Sequence, residues 1–423
     1  MPQQEKKPII FGSTENGSVL KNYMNKQKVV FNLVETASKQ IDLVDLYTKS
    51  MRARFGSGVK KDKCRRILDA VNDLKTNPPD KESIGKISAK FRRFDKGLPP
   101  DENINVYIEE ATRILDLSIP SEVFLASLLS TAIADFEFFF AETLRNFYLL
   151  RPQSLNDTNI TLKDLREAGS IEAISMITAE RRITDLMYGP FAKWVQSLER
   201  TCHISISALE PLIPTITEAI GRRNAHVHNE GRVNSRYFSY CSQEQRGNYT
   251  EGQKLDIDND YITNFLDYAV AAAAIISCEM SRKQEKEKIE QFEPQIGSIT
   301  YEFNLTKRYL SSVLYGKYAK GLSISDGYSS LIVRVNDWVA RKQLGEETWK
   351  QEVEDFSTGE KDDMFKLAKM ALLGKKKESG KLFVRLLVDR KLREEYIYTW
   401  PLLEEIRPTL ETLLQSLRER PTR

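Results

Sequence analysis

Two of the three histidines in this chain of 423 residues lie one residue apart, in the stretch RRNAHVHNEG at 222–231. Imidazole is the side chain whose unperturbed pKa lies near neutrality, so it can accept or donate a proton at working pH. Arginine stays charged and binds phosphate oxygens through its planar guanidinium group. Arginine, asparagine and histidine near the end of one helix therefore suit chemistry on a phosphodiester. Arginine would offset the charge that builds at phosphorus, and histidine would remove a proton from the nucleophile.

Helical geometry predicts different environments for the two histidines. His228 lies four residues after Asn224 and shares its face of a helix. His226 lies four residues after Arg222 and three after Arg223, and it diverges from His228 by about 200° around the axis. One histidine can therefore work in a cleft while the other packs or meets solvent. His228 also lies in the last turn, where the negative end of the helix dipole favours the protonated imidazole.

Four long helical segments are expected to position this motif. The first, at 121–150, begins with Ser121, a residue able to cap a helix, and has a continuous apolar stripe on one face. The second covers roughly 161–198. The third, SALEPLIPTITEAIGRRNAHVHN, carries the motif and precedes Gly231, where a helix end is expected. The fourth covers 260–288.

Arg223, Asn224 and His228 fit the pattern RNxxxH on the third of these four helices. The flanks are L-L-R-P-Q-S-L after the first helix, T-L-K-D-L-R-E-A-G-S-I-E at the second, and F-A-K-W-V-Q-S-L before the third. The arrangement resembles the HEPN superfamily over roughly residues 118–285. That resemblance implies a central HEPN-like four-helix bundle, and helical residue patterns on both sides of it predict an all-α chain. A basic helical region would precede the bundle, and a helical module would follow it.

The resemblance also implies an activity. Catalytic HEPN proteins are metal-independent endoribonucleases that need no cofactor and leave a 2′,3′-cyclic phosphate after attack by the RNA 2′-hydroxyl. Carried over to this chain, His228 is the general base, Arg223 stabilises the transition state and Asn224 orients its neighbours. In a supporting role, Glu137 on an earlier helix is placed to pair with Arg223. His226 is expected mainly to pack, and Arg222 to make a backbone-phosphate or surface contact.

The resemblance further implies partners. HEPN helices pair across a twofold axis, so a homodimer would place two RNxxxH motifs in one cleft that receives RNA. Many members are bacterial toxins or anti-phage effectors, which predicts an antitoxin or activator protein as a second partner. Some HEPN domains keep the fold without the activity. An inactive scaffold that binds RNA or protein is therefore the alternative function.

Two further regions are candidates for RNA contact. Between Lys60 and Lys96, twelve lysine and arginine residues face six acids, an excess that suits a phosphate track but is also typical of a solvated surface. After the motif, arginines alternate with aromatic residues, which would clamp unpaired bases unless the aromatic rings belong to the core. The candidates are Lys60, Lys61, Arg65, Arg66, Arg92, Arg93, Arg232, Arg236 and Tyr237.

Composition sets the remaining limits. A hydrophobic fraction of 41% and a net charge of +3 describe a globular chain whose attraction for nucleic acid must be local. The four cysteines are scattered and no CxxC or HxxxH spacing occurs, so we expect reduced thiols and no metal site. The most lipid-like run, at 268–280, is about 13 residues and too short to span a bilayer. We therefore expect a cytoplasmic protein with no membrane partner.

Four regions are expected along the chain. Residues 1–17 form a flexible tail, 18–98 a basic helical region, 106–290 the HEPN-like domain and 295–423 a C-terminal helical module. The linker GLPPDENIN separates the second region from the third, because paired prolines cannot continue a helix. The C-terminal module has the helix–glycine–helix spacing of paired-helix repeats, but no fixed period identifies stacked repeats.

Overall fold

The computed structural model describes residues 15–38, 43–76, 91–94, 96, 103–117, 121–155, 160–161, 166, 168–247, 249–284, 289–324, 327–359 and 362–418. Throughout these ranges the regular secondary structure is helical and no strand is present. An isolated antiparallel bridge joins Arg232 to Lys254. The all-α prediction is thus confirmed.

The helices are numbered here in chain order. They are α1 (Glu15–Ser38), α2 (Leu43–Phe55), α3 (Lys61–Thr76), α4 (Ile104–Leu117), α5 (Ser121–Leu150), α6 (Ile171–Met187), α7 (Phe191–Ser197), α8 (Ile213–His228), α9 (Ser235–Tyr240), α10 (Gln243–Arg246), α11 (Asn259–Gln284), α12 (Ile289–Leu305), α13 (Tyr309–Lys320), α14 (Gly327–Gln343), α15 (Thr348–Asp355), α16 (Asp363–Leu372), α17 (Lys376–Val388), α18 (Tyr396–Thr399) and α19 (Arg407–Arg418). The motif RNxxxH occupies the last two turns of α8.

By contacts between Cα atoms the chain separates into two compact units. The first comprises Met1–Val29, Ser130–Leu255 and Thr263–Arg423, and the second comprises Val30–Leu129 and Asp256–Ile262. These limits fall inside α1, α5 and α11, so they do not follow the boundaries drawn from the sequence, which remain predictions. α1 already begins within the expected tail. Of the expected linker, only residues 103–105 are described, and α4 begins among them.

The second unit has a core formed by α2, α3 and α4. The Tyr47 hydroxyl donates to the Tyr107 carbonyl at 2.6 Å, and Tyr107 stacks on Phe55 with ring centroids 5.6 Å apart. Cys64 and Ile67 on α3 are fully buried against the same core. The apolar face of α3 therefore packs into the core, while Arg65 and Arg66 are exposed and Lys61 and Lys63 are half-buried.

The part of α5 that belongs to the first unit, from Ser130 onward, supplies the aromatic residues against which α7 packs. Phe136 meets Phe191 at 5.5 Å between ring centroids, and Phe140 meets Trp194 at 5.2 Å. The stripe predicted along this helix is buried, which confirms that it is core; its members are Leu125, Leu128, Leu129, Ala132, Ile133, Phe136 and Phe140. Burial of this stripe fixes the rotation of α5 and so determines where Glu137 points.

The C-terminal helices α14 to α19 share a separate hydrophobic core. Val353, Phe383, Leu386 and Leu410 are fully buried within it. Gly380 on α17 lets α19 approach closely, because a Cβ at that position would lie 2.6 Å from Leu413. The tight contact gives this module a defined arrangement. Whether it derives from paired-helix repeats stays a prediction.

Two helices in the described part of the chain are long and apolar enough to cross a membrane by length and composition. They are Glu122–Leu150, with a mean hydropathy of 1.7, and Asn259–Lys283, with 1.4. The second of them contains the apolar run at 268–280. However, 78% of the most apolar 18-residue stretch of the second helix is buried inside the protein, as in the core helix of a globular domain. The corresponding share of the first helix is 44%. The cytoplasmic location remains a prediction.

Candidate functional site

The motif is displayed at the C-terminal end of α8. A proline in the first turn favours the start of this helix, and burial of Ile216, Ala219 and Ile220 fixes its inner face. At the other end, the Ala225 carbonyl accepts from the backbone N–H groups of Asn229 and Gly231, at 2.8 and 3.0 Å. The helix therefore ends directly after His228.

Arg223 is held by two neighbours. Its Nη2 donates to Glu137 Oε1 on α5 at 2.6 Å, and its Nε donates to Asn224 Oδ1 at 2.9 Å. The side chains of Arg223 and Glu137 are 17% and 27% exposed, so water screens their attraction only partly. The predicted pairing of Glu137 with Arg223 is present, and it orients the guanidinium group.

One edge of this guanidinium group remains available. Among the described residues, no hydrogen-bond acceptor lies on Nη1 of Arg223, since its contacts use Nη2 and Nε. An arginine can donate through five N–H bonds. A phosphate oxygen could therefore bind at Nη1 while Glu137 and Asn224 keep their places.

His228 is the exposed member of the set. It is the last residue of α8, and within the described ranges its imidazole makes no hydrogen bond or ion pair. Asn224, one turn earlier, directs its amide oxygen to Arg223 instead of His228. In a single copy of the chain, Arg223 and Asn224 are thus hydrogen-bonded to each other. His228, the third residue predicted for the site, is exposed to solvent.

His226 has a structural environment. Its Nε2 lies 2.8 Å from the Leu255 carbonyl, so this nitrogen must carry the proton and donate. Gly231 packs against the ring: a Cβ there would lie 2.7 Å from Cε1 of His226. The half-buried ring thereby ties the end of α8 to the segment before α11. This geometry matches the packing interpretation of His226.

The placement expected for Arg222 was wrong. Its side chain is buried, not on the surface, with Nε donating to Glu218 Oε1 at 2.9 Å and Nη2 to the Tyr249 hydroxyl at 3.2 Å. The Tyr237 hydroxyl donates to the same Glu218 oxygen at 2.5 Å. Glu218 and Tyr249 were missed in the sequence. The spacing of Glu218 four residues before Arg222 was the signal that could have revealed this buried ion pair.

Tyr237 is likewise unavailable for stacking on a base. It is 1% exposed, and burial, together with the negative charge of Glu218, raises the pKa of its hydroxyl. Two aromatic rings, Phe238 and Tyr249, pack around it. The core alternative for this aromatic segment is correct at Tyr237, because the ring closes the small core beneath α8 and α9.

The arginines after the motif remain at the surface. Arg232 is exposed and donates from Nη1 to the Gly252 carbonyl at 3.0 Å, whereas Arg236 is exposed on α9. Arg246, which the sequence did not single out, lies 5.9 Å from the centre of the half-buried Phe238 ring and donates to the Phe238 carbonyl. Arg232 and Arg236 therefore stay candidates for phosphate contact, without the aromatic clamp expected at Tyr237.

The basic candidates of the N-terminal region belong to the second unit. Five of them are exposed: Lys60, Arg65, Arg66, Arg92 and Arg93. Lys61 is half-buried, with Nζ 3.4 Å from Asp45 Oδ1. Three lysines that contribute to the excess, at positions 81, 86 and 90, lie outside the described residues. The surface of α3 can thus present positive charge to a polyanion.

A cavity of about 560 Å³ lies along α1 and α5, away from the motif. Its lining includes Asn22, Lys26, Asp135 and Phe138, and none of Arg223, Asn224 or His228. Of the three motif residues, His228 is exposed, whereas Arg223 and Asn224 are half-buried.

The thiols show the environment of packed core groups. All four cysteines are free and buried, and burial raises the pKa of Cys202 and of Cys278 to about 12. Such thiols stay protonated and poorly nucleophilic near neutrality. Within the described ranges, no group of three histidine, cysteine, aspartate or glutamate side chains is arranged to hold a metal ion.

Comparisons of this chain with models of known protein families, with curated proteins and with solved structures find no match. The resemblance to the HEPN superfamily therefore rests on the motif and its helical setting.

Proposed function

We propose that this protein is a HEPN-type, metal-independent endoribonuclease. The observation that carries the proposal is the arrangement at the end of α8. Arg223 donates from Nη2 to Glu137 Oε1 at 2.6 Å and from Nε to Asn224 Oδ1 at 2.9 Å. His228 is exposed at the end of the same helix. A fixed cation beside an accessible imidazole is the minimum that cleavage by an internal 2′-hydroxyl needs.

The chemistry assigns one part to each residue. His228 removes the proton of the RNA 2′-hydroxyl, and the 2′ oxygen then attacks the adjacent phosphorus. The bond from phosphorus to the 5′ oxygen breaks, and that oxygen takes a proton from water, which leaves a 2′,3′-cyclic phosphate and a 5′-hydroxyl. Arg223, through its unoccupied Nη1 edge, stabilises the negative charge on the phosphoryl oxygens. Asn224 and Glu137 position Arg223.

The proposal includes a homodimer. One chain supplies a single RNxxxH motif whose histidine is exposed to solvent, and a second copy would supply the other wall of a cleft that shields the reaction from water. Two copies related by a twofold axis bury the same surface patch on each. We expect the α8 ends to meet across that axis, and size measurements of the purified protein in solution test this part directly.

The deciding experiment measures RNA cleavage in EDTA with wild-type protein and with the Arg223→Ala and His228→Ala variants. We expect wild-type cleavage that persists in the chelator and leaves cyclic-phosphate ends. Both substitutions should reduce the rate by about a hundredfold or more. His203→Asn is a matched control, because it removes the exposed histidine outside the motif, at a left-handed position that asparagine tolerates. Cleavage that survives His228→Ala contradicts the assignment.

The alternative is an inactive HEPN-fold scaffold that binds RNA or protein. One observation favours it: the Arg223 guanidinium is already engaged by Glu137 and Asn224, as a purely structural arginine would be. A wild-type protein that binds RNA without cleaving any structured or unstructured RNA, with and without candidate partner proteins, would support the scaffold.

The physiological part of the proposal is a toxin or anti-phage effector held or triggered by a second protein. Expression of the wild-type chain in bacteria should then arrest growth, and expression of His228→Ala should not. A partner acting as antitoxin would relieve the arrest on co-expression. Equal growth with both chains, in the presence of measurable cleavage in vitro, would contradict the toxin assignment and leave the nuclease assignment intact.

A further inference from the structure

A dense run of positive charge lies on α17 and the turn after it. From Lys375 to Arg393 the chain carries eight lysine and arginine residues against two acids, an excess of six that is twice the net charge of +3 of the whole chain. All eight side chains are exposed; they are Lys375, Lys376, Lys377, Lys381, Arg385, Arg390, Lys391 and Arg393. We call these eight residues the α17 basic surface.

The helix presents this charge from a rigid support. Lys377, Lys381 and Arg385 are spaced four residues apart, so they line one face with a rise of about 6 Å between neighbours. The opposite face is packed: Phe383 and Leu386 are fully buried. Gly380 adds a close contact with α19, which prevents α17 from rolling. The basic row therefore points outward in a fixed direction.

Little of this charge is neutralised within the described residues. The one ion pair is loose, with Arg385 Nε 3.8 Å from Asp389 Oδ2. Asp363 lies near enough for Arg385 and Lys391 to help lower the pKa of its carboxyl, but its main partner is Lys366. Glu394, directly after the run, is paired with Arg418 instead. The surface thus keeps most of its positive potential.

Folding does not explain the placement of these charges. Lys375, Lys376 and Lys377 lie at the amino end of α17, where the helix dipole disfavours cations. Arg390 follows the C-terminal end of α17 and has a left-handed backbone with φ of +53°, a position that is usually glycine. Its N–H donates to the Leu387 carbonyl. Four cations therefore lie where local structure prefers other residues, which indicates a role in binding.

We infer that the α17 basic surface binds the phosphodiester backbone of RNA. Lysines, which dominate the surface, act as point charges on phosphates without recognising bases, so binding should be independent of sequence. A membrane is a poorer fit, because an interfacial helix inserts an exposed apolar face, whereas the apolar face of α17 is buried and the large apolar residue left exposed on it is Val388. The choice of RNA over other nucleic acids rests on the proposed function.

The test measures RNA binding by the full-length His228→Ala protein, so that cleavage does not interfere. The variant Lys377→Gln/Lys381→Gln/Arg385→Gln removes three charges and keeps helix propensity. We expect its affinity for a short unstructured RNA to fall roughly tenfold or more at low salt. The slope of log affinity against log salt should decrease by about two units, since each lost phosphate contact contributes about 0.7 on single strands.

A matched control removes the same charge elsewhere in the C-terminal helices. Lys317→Gln/Arg334→Gln/Lys350→Gln replaces three exposed residues on α13, α14 and α15 and should leave affinity within about twofold. Equal weakening in both triple variants, or none in the first, would overturn the inference. Binding of phosphatidylserine vesicles that the first triple variant abolishes, with RNA binding unchanged, would assign the surface to membranes and also overturn it.

Arg390→Gly separates binding from folding. Glycine relieves the left-handed backbone at this position and removes one charge. We expect thermal stability at least equal to that of the parent protein, together with RNA affinity reduced roughly twofold to threefold. Unchanged affinity would contradict a place for Arg390 in the surface. The ribonuclease proposal fails separately, through cleavage that survives His228→Ala, whatever the α17 variants do.

Discussion

Glu137 and Arg223 are separated by 86 residues in the chain, and their side chains meet at 2.6 Å between α5 and α8. Both are partly buried, so their attraction is stronger than that of a surface pair. The amide oxygen of Asn224 accepts a hydrogen bond from Nε of the same guanidinium group. The pair therefore sets the direction in which Arg223 presents its remaining donors.

Removal of one partner of this pair should destabilise the protein. For Glu137→Gln we expect the free energy of unfolding in urea to fall by about 1 to 2 kcal/mol, between the values for exposed and buried pairs. The reason is that a half-buried guanidinium group loses its counter-charge. The double-mutant cycle with Arg223→Gln is the control, and a coupling energy near zero would show that the two side chains do not interact.

The two histidines of the motif should separate stability from activity. His228→Ala should leave the unfolding free energy within about 0.5 kcal/mol, because the side chain is exposed and within the described ranges makes no hydrogen bond. His226→Ala should lower it by about 1 to 2 kcal/mol, because the Leu255 carbonyl loses its donor. Chemical denaturation and an RNA cleavage assay on both variants check this, and the reverse assignment of effects would contradict our placement of the two rings.

The turn after α8 should be sensitive to a single methyl group. Gly231 has φ of +72° and its missing Cβ would lie 2.7 Å from the His226 ring, so Gly231→Ala should destabilise by about 2 to 4 kcal/mol. Gly252 has φ of +82° with open space around it, and Gly252→Ala should cost only about 1 kcal/mol of backbone strain. Thermal unfolding of the two variants measures the difference. If both variants lost the same free energy of unfolding, the contact with His226 would not contribute to stability.

The contact between α5 and α6 should respond to acid. Two donors of the Arg145 guanidinium bind Glu180 and hold the pKa of its carboxyl below the ordinary 4.5. A lowered pKa in the folded state means that the stabilisation is complete above pH 4.5 and is lost as the pH falls through the folded-state value. At neutral pH it should amount to less than about 1 kcal/mol, because the pair is partly exposed.

Denaturation of wild type and Glu180→Gln over a pH series measures this effect. The difference in unfolding free energy should stay constant from neutrality to about pH 5 and shrink below that. In an Arg145→Gln background the same comparison should show no such trend. A difference that grows on acidification would mean that Glu180 is stabilised by something other than its charge.

Much of the local structure followed from periodicity. The apolar stripe of α5 and the end of α8 near Gly231 lie where the sequence predicted them, because side-chain spacing on a helix determines which face can be buried. The divergence of His226 from His228 followed from the same geometry. The family resemblance suggested Glu137 as the partner of Arg223, and the two side chains are paired, although the proposed part of Glu137 in positioning stays a prediction until the variants are tested.

Periodicity alone left the placement of Arg222 and Tyr237 undecided, although Glu218 lies one turn before Arg222. Both belong to residue types that suit RNA contact, and their spacing is compatible with a surface position. Only the packing of α9 and the Tyr249 segment against α8 buries them around Glu218. A buried ion pair is tolerated where further polar partners surround it, and Tyr237 and Tyr249, which bond to Glu218 and Arg222, lie too far along the chain for a helical pattern to reveal.

The amino-acid sequence by itself determined an all-helical chain, the helix that carries RNxxxH and the face of that helix on which each motif residue lies. These are consequences of side-chain period and backbone sterics within a few turns. Tertiary structure decided which of the arginines near the motif form buried ion pairs and hydrogen bonds and which are exposed to solvent. Burial and pairing depend on segments that are far apart in the chain, and so they are decided only when the helices pack.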